Sequence, residues 1–290
     1  MKLLIVGASG LAGRYLLSEA GQRGLAAVGT HHENPTPTTI PLSLANTPSF
    51  AKILDSVQPD AVIFCAAMVW ADACEKHKDL ATQINESAPT EMAKACQPRK
   101  IKLAFISSNY VFDGTRPPYS ESDTPRPINH YGVTKLNAER NISHILGDQA
   151  LIIRTCGIYG DDPLQKSFLS RLVRCLQQGS KVRIPNDQYQ NATFAGDLVS
   201  AILDLLALNA SGIWNIAGPN PFVRRDTLAI QIARTYSLDE TLIQPVPTSE
   251  LNQFALRPMS CGLSNEKAKN IINYSPKDHF FFPSLLYPKS

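Results

Sequence analysis

Gly7-Ala8-Ser9-Gly10-Leu11-Ala12-Gly13 follows the apolar run Leu3-Leu4-Ile5-Val6 and opens a stretch with helical periodicity. In a strand–turn–helix unit, Gly7 permits the tight turn, Gly10 lets the main chain approach a pyrophosphate, and Gly13 lets helix and strand pack closely. The turn residues Ser9, Leu11 and Ala12 then stand at a helix start whose free N–H groups attract an anion. An ordinary glycine-rich loop without a ligand is the alternative. Outward from this turn, the apolar runs Lys2–Val6, Ala26–Thr30, Asp60–Cys65, Ile101–Ile106 and Ala150–Arg154 alternate with amphipathic stretches at 11–23, 48–57, 78–97 and 130–146. That alternation is the pattern of βαβ units on a parallel sheet. Thr47 is expected as an N-cap with Pro48 in the first helical position.

After Gly160 the alternation loosens into helices near 164–178, 196–208 and 225–236 and strands near Lys181–Ile184 and Gly212–Ala217, which read as a smaller lobe. The expected fold is therefore α/β, a doubly wound parallel sheet over residues 1–160 and a smaller C-terminal α/β lobe over 161–290, interleaved at their boundary. The length of 290 residues agrees, since a domain takes roughly 150. With 43% hydrophobic and 18% charged residues, disorder is excluded for most of the chain. Lys and Arg number 28 against 25 Asp and Glu, with no long run of one sign, so neither nucleic acid nor a membrane surface is expected as a partner. The six cysteines form no Cys-x-x-Cys and stand near no histidine at ligand spacing; no metal site is expected, and the thiols read as separate and reduced in the cytoplasm. The first apolar run ends at Gly7, too short for a signal segment or a membrane span, which agrees with a soluble chain. The tail Phe280-Phe281-Phe282-Pro283 with Leu285-Leu286-Tyr287 is too apolar for free exposure and is expected to dock on its own core or on a second copy, a possible homodimer.

The spacing Gly-x-x-Gly-x-x-Gly resembles the extended form of the short-chain dehydrogenase/reductase superfamily. At the end of the second strand, Gly29-Thr30-His31-His32 holds no acid for the ribose of NAD. Arg14 is placed to meet the 2′-phosphate of NADP, with His31 or His32 assisting unless both are solvated. NADP(H) is therefore the preferred cofactor and NAD(H) the alternative. Leu44 stands where the superfamily packs an apolar residue on the adenine, although the neighbouring acid is here Ser43. Ala66 and Ala67 end the third major strand with side chains small enough for a ribose to pass.

Tyr131-Gly132-Val133-Thr134-Lys135 sets a phenol and an ammonium four residues apart on one helix face. A fixed positive charge stabilises phenolate, so Lys135 is expected to lower the pKa of Tyr131 towards the working range. Ser108 adds a hydroxyl to hold a substrate carbonyl, and Ser107 joins the cofactor-binding set. The chemistry expected is hydride transfer from a nicotinamide to a ketone, with Tyr131 donating the proton.

Ile106-Ser107-Ser108-Asn109-Tyr110-Val111-Phe112-Asp113-Gly114, with Pro118-Tyr119, Glu121 and the Tyr131/Lys135 pair, resembles the dTDP-4-dehydrorhamnose reductase family and its relative, the regulatory β subunit of methionine adenosyltransferase. Pro59 to Ile63, Ala66-Ala67, Asn85 and Gly212 to Gly218 are similar to the same family. The resemblance implies a Rossmann domain with a C-terminal sugar-nucleotide lobe, and reduction of a nucleotide-activated 4-keto-6-deoxysugar with NAD(P)H. It also allows a non-catalytic NADP-binding regulatory subunit, or a sugar-nucleotide epimerase or dehydratase. The chain departs from the family pattern near the sugar, at Met68-Val69-Trp70, Asn109, Gly157 and Asp187 to Thr193. The candidate substrate residues are Trp70, Asn109, Tyr110, Gly157, Gln188 and Arg224. Trp70 either covers the ligand or fills a loop core, and Arg224-Arg225 either clamps a diphosphate or is a solvated pair.

Overall fold

Seven parallel strands form the central sheet of the computed structural model, which describes residues 1–278. In chain order its first half runs β1 (Lys2–Val6), α1 (Leu11–Gln22), β2 (Ala26–His31), β3 (Thr39–Pro41), α2 (Pro48–Val57), β4 (Ala61–Phe64), α3 (Ala71–Lys76), α4 (Lys78–Thr82), a π turn at Gln83–Ser87, α5 (Ala88–Cys96), β5 (Lys102–Ile106), a 3-10 turn at Asn109–Val111, α6 (His130–Leu146) and β6 (Ala150–Arg154). The second half adds β7 (Ile158–Tyr159), α7 (Phe168–Gln177), β8 (Val182–Pro185), β9 (Tyr189–Gln190), β10 (Thr193–Phe194), α8 (Ala195–Ala207), β11 (Gly212–Asn215), β12 (Val223–Arg224), α9 (Arg225–Thr235), β13 (Ile243–Val246) and α10 (Glu266–Ile272).

The sheet order β3-β2-β1-β4-β5-β6-β11 reverses direction between β1 and β4. This is the topology of a doubly wound Rossmann sheet, and the crevice outside the carboxyl ends of strands at such a reversal is where ligands bind. Strands β1, β4 and β5 are apolar on both faces because helices cover both. α1 and α8 pack on one side with Leu3, Ile5, Ile63 and Ile153; α2, α5 and α6 pack on the other with Leu4, Val62, Phe105 and Ile152. Burying each such aliphatic side chain contributes about 1.5–3 kcal/mol. A separate core, built from α7, α9, β8 and β13, forms the smaller lobe around Leu172, Val173, Leu228 and Ile232.

Three local expectations are corrected. The strand at Gly212–Asn215 does not belong to the smaller lobe. It pairs in parallel with β6, Gly212 opposite Leu151 and Asn215 opposite Arg154, and so covers what would be an open sheet edge. The helix expected over 78–97 is interrupted by the π turn, whose wider winding turns Asn85 inward. Thr47 precedes Pro48 as expected, but its side chain makes no capping bond. All six cysteines are free thiols, four of them buried. The apolar tail at 280–287 lies outside the described residues. Among the described residues no helix is long and apolar enough to cross a membrane, and no cluster of acids, histidines and cysteines has the form of a metal site.

Candidate active site

Gly7 carries the positive φ of 90° that turns the chain out of β1, and its N–H donates to Thr30 Oγ1 of β2 at 3.2 Å. Gly13, a turn into α1, lies so close to the incoming loop that a Cβ there would stand 2.3 Å from Gly7 O and 2.5 Å from Ala8 Cα. That approach brings the start of α1 to the carboxyl edge of the sheet. Gly10 is the extended N-cap residue and no side chain caps the helix, so the N–H groups at its start are left to an external acceptor. A Cβ on Gly10 would meet only Gly7 O, at 3.4 Å, leaving the outer face of the turn bare. The turn therefore fits the pyrophosphate of a dinucleotide, and Ser9, Leu11 and Ala12 lie on it. Ala66 sits against Gly7 at the end of β4, next to Ala67.

Among the other expected cofactor residues, Arg14 is exposed at the start of α1, and Leu44 is half-buried beside the α2 core. His31 ends β2 with Nδ1 2.8 Å from Thr39 Oγ1. His32 is exposed beyond it.

Helix α6 begins where Asn129 accepts from the Gly132 N–H at 2.9 Å, which sets Tyr131 in the first turn. Gly132 has no room for a Cβ, which would stand 2.1 Å from Tyr110 O. The start of α6 and the 3-10 turn after β5 are thereby pressed together, and the Tyr110 and Tyr131 rings meet edge to face at 5.8 Å. Ser108 caps that 3-10 turn through its hydroxyl, which accepts from the Tyr110 N–H at 3.2 Å. Burial pushes the Tyr131 phenol up to about 12, while the Ser108 hydroxyl acts in the opposite direction.

Lys135 shares this helix face but does not lower the Tyr131 phenol as expected. Its Nζ donates inward to Ile106 O at 2.7 Å and sits 3.8 Å from the centroid of the Phe105 ring. Only 1% of the side chain is exposed, and burial pulls its pKa down to about 7. Two residues not expected at the site complete this interior. Glu139 accepts from Ser107 Oγ and from Arg154 Nε and Nη2, the latter at 2.7 Å, in a fully buried ion pair. The same four-residue interval that links Tyr131 to Lys135 leads on to Glu139, so the sequence held a signal for it.

Facing Tyr110 is a narrow polar cleft lined also by Gln188, Gln190 and Arg225. Gly157 lies at its rim, with a Cβ there placed 3.3 Å from Gln190 Oε1. The expected substrate residues divide here. Tyr110 lines the cleft, and Gly157 lies behind Gln190 of its lining. Asn109 and Gln188 line it but spend their amides on Cys261 O and Thr248 Oγ1. Trp70 is 47% exposed, carrying the Arg171 guanidinium 4.5 Å from its ring. Arg224 is half exposed, pairs with the buried Asp226 carboxylate at 2.6 Å and stands beside Tyr189 of the cleft lining. Arg225 takes the inward place, 4.3 Å from the Phe168 ring. Burial, together with the guanidiniums of Arg257 and Arg171, pulls Arg225 below the usual arginine range. Arg257 is neutralised by Asp72 at 2.9 Å, whereas Arg171 and Arg225 have no carboxylate partner among the described residues.

A family model described as the RmlD substrate binding domain matches residues 1–279. The chain is 32% identical over 259 residues to a dTDP-4-keto-6-deoxy-D-glucose reductase of Streptomyces niveus, covering 88% of this chain and 85% of the relative. It is 30% identical over 278 residues to methionine adenosyltransferase 2 subunit beta of Rattus norvegicus, covering 93% and 82%. Among solved structures, dTDP-4-dehydrorhamnose reductase from Bacillus anthracis in complex with NADP superposes with a TM-score of 0.87 at 25% identity, covering 96% of this chain and 95% of that one.

Proposed function

The chain belongs to the RmlD substrate binding domain family, and from that premise we propose that it reduces a nucleotide-activated 4-keto-6-deoxysugar. A bound nicotinamide, NADPH in preference to NADH, supplies the hydride. One observation carries the reading: the uncapped glycine turn at the end of β1, and Ser108, Tyr131 and Lys135 around the end of β5, share one carboxyl edge at the reversal of the sheet.

Ser108 and Tyr131 hold the ketone oxygen. Tyr131 is neutral at pH 7 and carries the proton to be delivered; an alkoxide forming on the sugar is a stronger base than phenolate, so transfer runs downhill even from a phenol held at about 12. Lys135 adds positive potential at the base of the site and a donor for the cofactor ribose. Arg171 and Arg225, which have no carboxylate partner among the described residues, meet the diphosphate, with Trp70 and Tyr110 as apolar walls. The preference for NADPH rests on Arg14 and on the absence of an acid at His31. Binding of NADP by the Bacillus anthracis structure supports it. The smaller lobe supplies the sugar-nucleotide contacts.

Loss of absorbance at 340 nm on mixing NADPH, the protein and dTDP-4-keto-6-deoxysugars tests the proposal; no oxidation across the panel refutes it. Similarity to methionine adenosyltransferase 2 subunit beta favours a second reading, a non-catalytic NADP-binding subunit of a partner enzyme. Capture of an adenosyltransferase by a protein that binds NADPH without turning over any ketone would select it.

A further inference from the structure

Lys135 is enclosed on every side, and the groups facing it can be named. From its own helix come Tyr131 one turn before and Glu139 one turn after. The Phe105 ring and Ile106 O face it from β5, Cys65 from the end of β4, and Cys74 from α3. Burial pushes the thiols of Cys65 and Cys74 up to about 12 and about 11, so both are neutral at pH 7. Among the described residues, Glu139, one turn on along α6 and also buried, is the carboxylate whose charge acts on Lys135, without a direct ion pair between them. It is itself fixed by Ser107 Oγ, and by Arg154, whose Nε lies 3.1 and 3.2 Å from the two carboxylate oxygens.

A buried ion pair of this kind contributes little to stability by itself, since apolar residues of similar volume often serve as well. Here the pair lies directly behind the candidate site, and its carboxylate repeats the Tyr131–Lys135 interval on the same face. We propose that Glu139, clamped by Arg154 and Ser107, is a positioning residue that biases the enclosed Lys135 towards its ammonium form at the end of β5, in support of Tyr131. This rests on the reading of Tyr131 and Lys135 as the proton-transfer pair. Without the carboxylate, the hydrophobic enclosure and the Arg154 cation both drive Lys135 towards the neutral amine.

The test titrates Lys135 directly in the full chain, by NMR of protein carrying 13C-labelled lysine, with the Lys135→Met variant identifying the resonance. In Glu139→Gln the titration midpoint falls by one pH unit or more, a tenfold loss of proton affinity, whereas Glu139→Asp, which keeps the charge, restores it to within a few tenths of a unit. The alkaline limb of kcat/KM for keto-sugar reduction moves by the same amount. If Glu139→Gln does not fold, the comparison is made in an Arg154→Met background, where neutralising Glu139 leaves no unpaired cation and still lowers the midpoint by a unit. An unmoved midpoint overturns the inference. A shifted midpoint in a protein that reduces no sugar nucleotide retains Glu139 as the counter-charge of Lys135 and instead defeats the assignment as a reductase.

Discussion

Two alanine substitutions three residues apart separate what the glycine turn does for the fold from what it does for a ligand. In Gly13→Ala the new Cβ stands 2.3 Å from Gly7 O and 2.5 Å from Ala8 Cα, both backbone atoms that no rotamer change can clear. Because Cβ contacts under 3.0 Å do not occur, α1 has to retreat by at least about 0.7 Å. Overpacking of this kind costs about 1–3 kcal/mol, and a doubly blocked site lies at the upper end. Alanine recovers about 1 kcal/mol through helix propensity, so the net loss is about 2 kcal/mol. For a chain of this length, that is a fall of about 4 °C in Tm. Gly10→Ala meets only Gly7 O, at 3.4 Å, at an ordinary φ of −78°, so its Tm stays within about 1 °C of wild type. On the proposed reading its methyl group stands where the pyrophosphate would approach, and the Kd for NADPH should rise about tenfold, or 1.4 kcal/mol. Differential scanning fluorimetry and fluorescence titration of NADPH read the two quantities. Wild-type NADPH affinity in Gly10→Ala would refute the turn as the pyrophosphate site, and an unchanged Tm in Gly13→Ala would refute the close approach.

Tyr131→Phe removes the proposed proton donor and should lower kcat by about 10² or more with the NADPH Kd little changed; steady-state kinetics with near-normal turnover would take Tyr131 out of the mechanism. Arg225→Gln should raise KM for the sugar nucleotide about tenfold while leaving NADPH binding alone, and Arg224→Gln should change neither, so equal effects of the two would reject the placement of Arg225 in the cleft. Lys135 is held at about 7 in the fold against 10.5 for a free lysine, so between those values the unfolded chain binds a proton that the folded chain does not. Stability relative to Lys135→Met should therefore rise with pH across that window at about 1.4 kcal/mol per unit; urea melts from pH 7.5 to 9.5 that run parallel for the two proteins would disprove it. Arg154→Ala leaves Glu139 buried without its partner and should cost about 3–5 kcal/mol in the same urea assay, a loss that a near-neutral result would contradict.

Much of this molecule was legible from local pattern. The strand, glycine turn and helix at 2–22 form as read, and α6 spans 130–146 as expected, because strand alternation, helical period and capping chemistry are properties of neighbouring residues. The shared face of Tyr131 and Lys135 follows from the helical repeat alone, and the same repeat reaches Glu139. Local pattern does not reach a side chain's last few bonds. The repeat places Lys135 on a face, but whether its ammonium points out to the phenol or in to Ile106 O depends on a strand distant in sequence.

Local residue pattern is enough for the order of elements, the glycine turn and the composition of the candidate site. Tertiary structure alone decided that Gly212–Asn215 completes the main sheet, since strand pairing depends on which edge remains open when the rest has folded. It also decided that Arg225, and not Arg224, faces the cleft, because two adjacent residues at a helix start point in directions set by the partners around them. Arg224 pairs with the buried Asp226 carboxylate while staying half exposed, and Arg225 lies over the Phe168 ring.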